Sequence, residues 1–179
     1  MASAFQERKL KGMFAAFDAD SDGYLREEDF RALVARWSRL PGVEPGTELR
    51  TRVETRLMGW WAALLETGDA NGDGAVDLGE LLALVDKLPA MVADVSATAD
   101  TVFDAIDTNG DGVISPEEHR RLVETWNGRS VDMTGVFELL DLNGDGHLSR
   151  TEFAELWRQF WISDDPAAPG NLLCGRLPG

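Results

Sequence analysis

The sequence predicts an all-α protein of four helix–loop–helix units, arranged as two paired lobes in one compact molecule with short antiparallel pairings between loops. Three observations predict this fold class. An acidic twelve-residue segment occurs four times in the 179-residue chain. Apolar residues recur at helical spacing on both sides of each segment. The connection between the second and third segments is broken at Leu88–Pro89, so no long helix separates the two halves.

The four acidic segments align residue for residue. Each has Asp at place 1, Asp or Asn at place 3, Asp at place 5, Gly at place 6, an aliphatic residue at place 8 and an acid at place 12. Internal repetition of this kind is the signature of a repeated supersecondary unit. The segments are DADSDGYLREED (18–29), DANGDGAVDLGE (69–80), DTNGDGVISPEE (107–118) and DLNGDGHLSRTE (141–152).

The first lobe is predicted at residues 1–88. The stretch LPGVEPG at 40–46 predicts a turn, and a helix from about Glu48 to Leu65 then leads to the second loop. Gly68 precedes the second loop, so we expect a weakened last helical turn and the loss of one core contact there. The apolar positions that predict the remaining helices are Leu10, Met13, Phe14, Phe17, Phe30, Leu33, Val34, Leu81, Leu84 and Val85.

The second lobe is predicted at residues 89–162, followed by a Pro/Gly-rich tail at 163–179 that we expect to pack on the core. Ser115 and Ser149 are predicted N-caps, because Glu118 and Glu152 stand three residues later and complete capping boxes. The helical apolar positions are Val102, Phe103, Ile106, Leu122, Val123, Val136, Phe137, Leu140, Phe153, Leu156 and Trp157.

The four segments resemble the loops of EF-hand calcium-binding proteins, which follow the pattern D-x-[DN]-x-[DN]-G and end in Glu at place 12. The resemblance covers residues 4–162. The spacing of the loops and the tail SDDPAAPGNLLCG are similar to those of the sarcoplasmic calcium-binding proteins and their bacterial relative calerythrin. The resemblance implies that the first loop pairs with the second and the third with the fourth. It also implies binding of up to four Ca²⁺ ions.

Calcium is a hard cation that takes six to eight oxygen ligands. Side chains at places 1, 3 and 5, the backbone carbonyl at place 7 and both oxygens of the acid at place 12 supply them. Asp77, at place 9, acts directly or through water. The candidate metal ligands are Asp18, Asp20, Asp22, Tyr24, Asp29, Asp69, Asn71, Asp73, Ala75, Asp77, Glu80, Asp107, Asn109, Asp111, Val113, Glu118, Asp141, Asn143, Asp145, His147 and Glu152.

The first loop has the most acidic ligand set and the least regular end. Asp29 is one methylene shorter than Glu, so its two oxygens reach an ion only if the loop contracts. Arg26 stands where a small capping residue is usual, and it neither binds a cation nor accepts a hydrogen bond. A contracted six-coordinate site suits Mg²⁺ better than Ca²⁺. The residues therefore leave both ions open as the resting occupant of this loop.

Charge and cysteine content restrict the partners and the compartment. The net charge of −15 opposes binding to nucleic acid or to anionic membranes, and 17 of the 32 acids lie in the four loops. The single cysteine, Cys174, favours a reducing compartment, so we expect a cytoplasmic protein. We also expect a monomer. His119, His147 and Cys174 form no nucleophile–base–orienter set, which predicts that the chain is not an enzyme.

Two functions suit four such loops: a buffer or store of Ca²⁺, and a sensor that exposes an apolar groove to regulate a target protein. Sensors open a Met-rich groove. This chain has five Met, including the initiator, against six Trp and eight Phe, and it has a C-terminal tail that we expect to be able to cover a groove. These features favour the buffer, with the sensor as the alternative. A bound organic ligand is not singled out by the sequence.

Overall fold

The computed structural model describes residues 3–85, 87 and 92–177, with the backbone alone for 92–96. The predicted break at Leu88–Pro89 and the boundary between the lobes at 88/89 lie outside the described residues. None of the described helices combines the length and apolar character that crossing a membrane requires. The elements are α1 Ala4–Phe17, β1 Tyr24–Leu25, α2 Glu27–Trp37, α3 Glu48–Gly68, β2 Val76–Asp77, α4 Leu78–Ala83, α5 Val92–Ile106, β3 Val113–Ile114, α6 Pro116–Asn127, α7 Phe137–Leu140, β4 Leu148–Ser149, α8 Arg150–Ile162 and a 3₁₀ turn Pro169–Leu172.

Side-chain caps fix where several helices begin. Ser3 and Thr47 each accept a backbone N–H, from Gln6 and Arg50 respectively, at the starts of α1 and α3. Ser115 and Ser149 form the predicted capping boxes at the starts of α6 and α8. The predicted helices are therefore observed, and α3 continues beyond Leu65 as far as Gly68. Two of them are shorter than predicted, because α4 ends at Ala83, before Leu84 and Val85, and α7 begins at Phe137, after Val136.

The loops pair as the sequence predicts. Strands β1 and β2 are antiparallel, with Leu25 opposite Val76. Strands β3 and β4 are antiparallel, with Ile114 opposite Leu148. All four of these place-8 side chains are fully buried. Each short pairing therefore joins two loops over the apolar core, and the all-α fold of paired helix–loop–helix units is confirmed.

One cluster of aromatic rings joins the two lobes; we call its members Phe17, Trp60, Trp126, Trp157 and Trp161 the interlobe aromatic cluster. Phe17 lies 5.0 Å from Trp126 between ring centroids, and Trp60 lies 5.5 Å from Trp161. Aromatic pairs at such distances stabilise the fold beyond the area that they bury. The molecule is therefore compact, because rings of α1 and α3 pack directly on rings of α6 and α8.

The C-terminal tail packs across both lobes. Lys9, on α1, is 7% exposed, and its Nζ donates to Asn171 Oδ1 at 3.0 Å and to the carbonyl of Ser163 at 3.1 Å. Burial lowers the pKa of Lys9 to about 8. The buried ring of His119 lies with Nε2 at 2.8 Å from the carbonyl of Leu173. These contacts fix the tail to the first and third units.

The end of α3 differs in part from expectation. The N–H of Asp69 is 3.4 Å from the carbonyl of Leu65, whereas the equivalent distance at the end of α1 is 2.9 Å, which is consistent with a weakened last turn. A Cβ added to Gly68, however, would lie 3.1 Å from Leu84 Cδ1. The core contact is therefore replaced, because Leu84 and Val76 occupy the space that a side chain at 68 would need.

Candidate metal centres

The carboxylate at place 1 organises each loop. It accepts the backbone N–H groups of places 5 and 6, at 2.7–3.2 Å in all four loops. Gly at place 6 has positive φ in every loop, from 80° to 86°, which a side chain would oppose. The residues at place 1 are Asp18, Asp69, Asp107 and Asp141. The loop backbone thus curls around this side chain.

The side chains at places 3 and 5 also accept backbone N–H groups of their own loop. An oxygen at place 3 accepts the N–H of place 5 at 2.8–3.1 Å. An oxygen at place 5 accepts the N–H of place 7 at 2.9–3.1 Å. In the first loop, Asp18, Asp20 and Asp22 each bring one carboxylate oxygen within 4.8 Å of the others. Each loop therefore gathers oxygens on its inner side, which suits a hard divalent cation.

The predicted carbonyl donors at place 7 lie at the edge of the paired strands. Tyr24 and Val113 begin β1 and β3, while Ala75 and His147 directly precede β2 and β4. Tyr24 and Val113 are thus paired within the strands, and Ala75 and His147 adjoin them. His147 is exposed, and its N–H donates to Asp145. A role through the carbonyl explains why four unrelated residue types occupy this place.

The acids at place 12 are held by backbone amides. Asp29, Glu80, Glu118 and Glu152 each accept the N–H of place 9, at 2.8–3.0 Å. In the first three loops the second oxygen accepts the N–H of place 2, at 2.9–3.1 Å. Asp29 makes both contacts although its side chain is one methylene shorter. A metal ion that takes both oxygens shares this carboxylate with the amides.

The place-12 acids of the first and third loops differ in proton affinity. Burial raises the pKa of Asp29, and the N–H groups of Arg26 and Ala19 do not offset the burial. Burial also acts on Glu118, but the backbone and hydroxyl donors of Ser115 and Thr108 outweigh it and hold the pKa below its usual range. Hydroxyl donors at places 2 and 9 therefore stabilise the charged acid of the third loop, and the first loop has none.

Place 4 also distinguishes the first loop, and sequence reasoning missed it. Gly72, Gly110 and Gly144 have φ of 71–75°, and each donates its N–H to the place-1 acid at 2.7–2.8 Å. Ser21 has φ 59° at this place, in the left-handed region that favours glycine. The signal was present, because three loops carry the Asn-Gly pair typical of tight turns, and the first carries Asp-Ser.

Arg26 has a second effect that the sequence did not reveal. Its guanidinium forms an ion pair with the carboxylate of Asp22, and it lies 4.8 Å from the centre of the Tyr24 ring. Asp22 is the candidate ligand at place 5. The side chain of Arg26 also forms no cap at the start of α2. One candidate ligand of the first loop, Asp22, is thus paired with the guanidinium of a residue in the same loop.

The remaining predicted residues lie as follows. Asp77 caps α4 by accepting the N–H of Glu80 at 2.9 Å, so its carboxylate serves the helix as well as the loop. Cys174 is buried in the tail, and burial raises the pKa of its thiol. His119 packs against Phe137, at 5.8 Å between ring centres. The three residues thus have packing or capping contacts.

Sequence models of EF-hand families match all four loops. A model described as an EF-hand domain pair matches residues 96–158, a second EF-hand domain pair model matches residues 2–36, and an EF hand model matches residues 62–85. The chain is 27% identical to the sarcoplasmic calcium-binding proteins I, III and IV of Branchiostoma lanceolatum, over 97% of this chain and 98% of that protein.

Two further matches differ in how much of the other protein they cover. The crystal structure of a sarcoplasmic calcium-binding protein from amphioxus is 24% identical and aligns with a TM-score of 0.75, covering 99% of this chain and 100% of the other. Calcium-dependent protein kinase 3 of Oryza sativa subsp. japonica is 32% identical over 73% of this chain, but over 21% of the kinase. The amphioxus proteins therefore match this chain over its full length, whereas the kinase match covers only a part of the kinase.

Proposed function

Since the chain is a calcium-binding EF-hand protein related to the sarcoplasmic calcium-binding proteins, we propose that it buffers or stores Ca²⁺ through up to four loops. The candidate ligands at places 1, 3, 5, 7 and 12 are the residues that hold the ions, with Asp77 as an additional ligand of the second. Their donor atoms are all oxygens, the type that Ca²⁺ prefers. The buried, unpaired Cys174 fits a reducing compartment such as the cytoplasm.

The interlobe aromatic cluster is the observation that favours a buffer over a sensor. A sensor exposes an apolar groove when Ca²⁺ binds. Here the apolar faces of the lobes already pack on each other, with Phe17 of the first lobe and Trp126 of the second 5.0 Å apart between centroids and both 2% exposed. Opening a groove for a target helix would separate these rings. The tail contacts of Lys9 and His119 oppose the same motion.

We further propose that Mg²⁺ occupies the first loop at rest. Asp29 reaches the same two amides as the glutamates of the second and third loops, which a shorter side chain achieves only when its backbone lies closer to the loop. A smaller loop favours the shorter bonds of Mg²⁺. The acidic set Asp18, Asp20 and Asp22 supplies the charge that such an ion requires.

One titration tests both proposals. Calcium binding to the chelator-treated protein is measured calorimetrically with and without millimolar Mg²⁺, and a hydrophobic dye is followed in parallel. We expect up to four Ca²⁺ sites, weakening of one site by Mg²⁺, and little Ca²⁺-induced dye binding. A large saturable increase in dye fluorescence would instead establish the sensor, and unchanged affinities in Mg²⁺ would remove that ion from the first loop.

A pair of neighbouring acids tests the ligand assignment. Glu118→Gln removes one charged oxygen at place 12 of the third loop, so the protein should bind one Ca²⁺ fewer at a concentration that saturates the wild type. Glu117→Gln is the matched control, because Glu117 is the neighbouring acid of the same loop, pairs with Arg121 on the surface and is not a candidate ligand. Equal stoichiometry in the two variants would refute the assignment of Glu118.

A further inference from the structure

A groove lies on the surface where the C-terminal tail crosses α1. Its wider part, of about 590 Å³, lies between the start of α1, α7 and the tail, and is lined by Phe5, Arg8 and Leu139. Its narrower part, of about 160 Å³, lies between α1, the end of α6 and the tail. Arg176 and Leu177 line both parts, so the two are continuous. We call this surface the basic groove.

The lining of the basic groove is opposite in charge to the protein as a whole. The chain has 32 acids and 17 basic residues, yet the described residues that line the groove include four basic side chains and no acid. The four are Arg8, Lys9, Arg129 and Arg176. Lys9 is already bound to the tail, so the three arginines define the charge of the surface. A concave surface of one sign attracts groups of the opposite charge.

No carboxylate of the described chain pairs with these three arginines. Arg8 and Arg129 are exposed, and Arg8 lies over the ring of Phe5, 5.5 Å from its centroid. Arg176 donates to a neutral acceptor, the carbonyl of Thr134, at 2.9 Å. Seven other arginines are each ion-paired with an acid: Arg26, Arg31, Arg50, Arg52, Arg121, Arg150 and Arg158. The basic groove therefore differs from the rest of the described surface in leaving several guanidinium groups unpaired.

Two acids act on the cations of the groove from outside its lining. Asp132 lies near Arg176, and its carboxylate accepts the amide and the hydroxyl of Thr134 at 3.0 and 2.7 Å. These two donors, more than Arg176, lower the pKa of Asp132. Asp164 acts on Lys9, which the tail encloses. Neither acid forms an ion pair with an arginine of the groove, so the guanidinium groups stay available to a carboxylate of another molecule.

The wider part of the groove also presents apolar side chains. Leu139, on α7, is 53% exposed, and Phe5, Leu172 and Leu177 are half-buried beside it. Exposed apolar groups rimmed by polar ones mark sites of protein–protein contact. Arginine is enriched at such interfaces, and clusters of arginine recognise acidic motifs. The surface thus combines apolar contact with a positively charged rim.

The charge of the whole molecule decides which partner suits this surface. A second copy of this chain, an anionic membrane or a nucleic acid would bring many negative charges close to a protein of net charge −15. A short peptide segment brings only the few acids that the arginines neutralise. A segment also enters a concave surface, which a flat bilayer does not. The groove therefore suits a short acidic segment best.

We propose that the basic groove is a docking site for an acidic, leucine-bearing segment of a partner protein. The carboxylates of the segment pair with Arg8, Arg129 and Arg176 through charge-assisted hydrogen bonds. Its leucines pack on Phe5 and Leu139. The surface exists while the lobes are packed together, so docking requires no opening of the interlobe aromatic cluster. The docking site does not depend on the buffer role, since no candidate metal ligand lines the groove.

The test compares three peptides, blocked at both ends, that are added to the protein with Ca²⁺ in excess. Their sequences are EDLLEELEDL, the amide counterpart QNLLQQLQNL, and EDSSEESEDS, which keeps the acids and replaces the leucines. The methyl signals of leucine are followed by NMR, with the fully buried Leu25 as the internal reference. We expect saturable shifts at Leu139 with the first peptide and weaker binding of the other two. Absence of saturable shifts at Leu139, or equal affinity for the first peptide and either counterpart, would overturn the proposal.

A pair of arginine substitutions locates the charge. Arg8→Gln combined with Arg129→Gln should weaken the acidic leucine peptide by about tenfold and leave the amide peptide unchanged, because two ion pairs are lost. Arg39→Gln combined with Arg120→Gln is the matched control, since it changes the net charge equally at two exposed arginines that line no part of the groove. Equal losses of affinity in the two proteins would show that net charge alone attracts the peptide, and would contradict the docking site.

A leucine substitution locates the apolar contact. Leu139→Gln should weaken both the acidic leucine peptide and the amide peptide, because the leucines of both lose the same partner. Leu142→Gln is the matched control, since Leu142 is 60% exposed but lines no part of the groove. Undiminished binding in Leu139→Gln would remove the apolar half of the proposal.

Sedimentation with phosphatidylserine vesicles tests the other source of negative charge. We expect the protein to stay in the supernatant, because its net charge opposes adsorption. Vesicle binding that is lost in the variant with Arg8→Gln and Arg129→Gln would assign the groove to lipid headgroups, and would overturn the proposal of a protein partner.

Discussion

Single residues decide how far the first loop departs from the other three. Ser21 occupies a backbone conformation that the other loops give to glycine, Arg26 stands where Ser115 and Ser149 cap their helices, and Asp29 replaces a glutamate. Ser21 affects the amide at place 4, Arg26 pairs with the candidate ligand Asp22, and Asp29 changes the candidate ligand at place 12. The loop keeps its overall hydrogen-bond pattern because Asp18, at place 1, still accepts the amides of places 5 and 6.

Arg26→Ser should raise the Ca²⁺ affinity of the first loop. The substitution frees the carboxylate of Asp22 from its ion pair and introduces a side chain that caps α2, and a Ser cap contributes about 1 kcal/mol. Calorimetric titration would measure the change. Arg31→Ser is the matched control, since Arg31 forms an i,i+4 pair with Glu27 on the same helix and contacts no candidate ligand. Equal affinities in the two variants would show that Arg26 does not restrain Asp22.

Asp29→Glu should move the first loop from Mg²⁺ towards Ca²⁺. The longer side chain offers both oxygens to an ion without drawing the loop inward, and the larger ion benefits more from that. Titration with Ca²⁺ in the presence and absence of Mg²⁺ would show a smaller Mg²⁺ effect in the variant. Selectivity that stays as in the wild type would mean that the length of the acid is not what favours Mg²⁺.

The helix α3 carries two glycines whose roles differ with their surroundings. Gly68→Ala should lower the free energy of unfolding, because the new Cβ would lie 3.1 Å from Leu84 Cδ1 and 3.5 Å from Val76 Cγ1. Gly59→Ala should raise it by about 1 kcal/mol, since nothing described lies within 4 Å of that Cβ. Urea unfolding of both variants would check the opposite signs. A gain in stability from Gly68→Ala would contradict the packing described for the end of α3.

The loops, their pairing and the flanking helices could be predicted because their causes are local. Alternate acids, a glycine at place 6 and an aliphatic at place 8 are read directly from twelve residues. The contacts of Lys9 with Asn171 and of His119 with Leu173 could not be predicted, since they join residues far apart in the chain.

The whole molecule combines a strongly charged surface with a continuous core. Seventeen acids concentrated in four loops repel one another, while the interlobe aromatic cluster holds the lobes together. Trp60 links the two effects, because its ring contacts Phe17, which ends the helix leading into the first loop, and Trp161 of the second lobe. Repulsion between the loop acids of one lobe, once no cation neutralises it, therefore acts on a core that both lobes share.

Removal of Ca²⁺ should lower the unfolding temperature of both lobes together. Each site occupied at one hundred times its Kd adds about 2.7 kcal/mol to the free energy of unfolding, which for this chain length raises Tm by roughly 5–10 °C. Scanning calorimetry with chelator and with Ca²⁺ would measure the shift, and Mg²⁺ alone should give an intermediate midpoint through the first loop. Because the aromatic rings of both lobes pack on each other, the calcium-bound protein should unfold in one transition. An unchanged midpoint would contradict metal binding, and two separate transitions in Ca²⁺ would contradict the shared core.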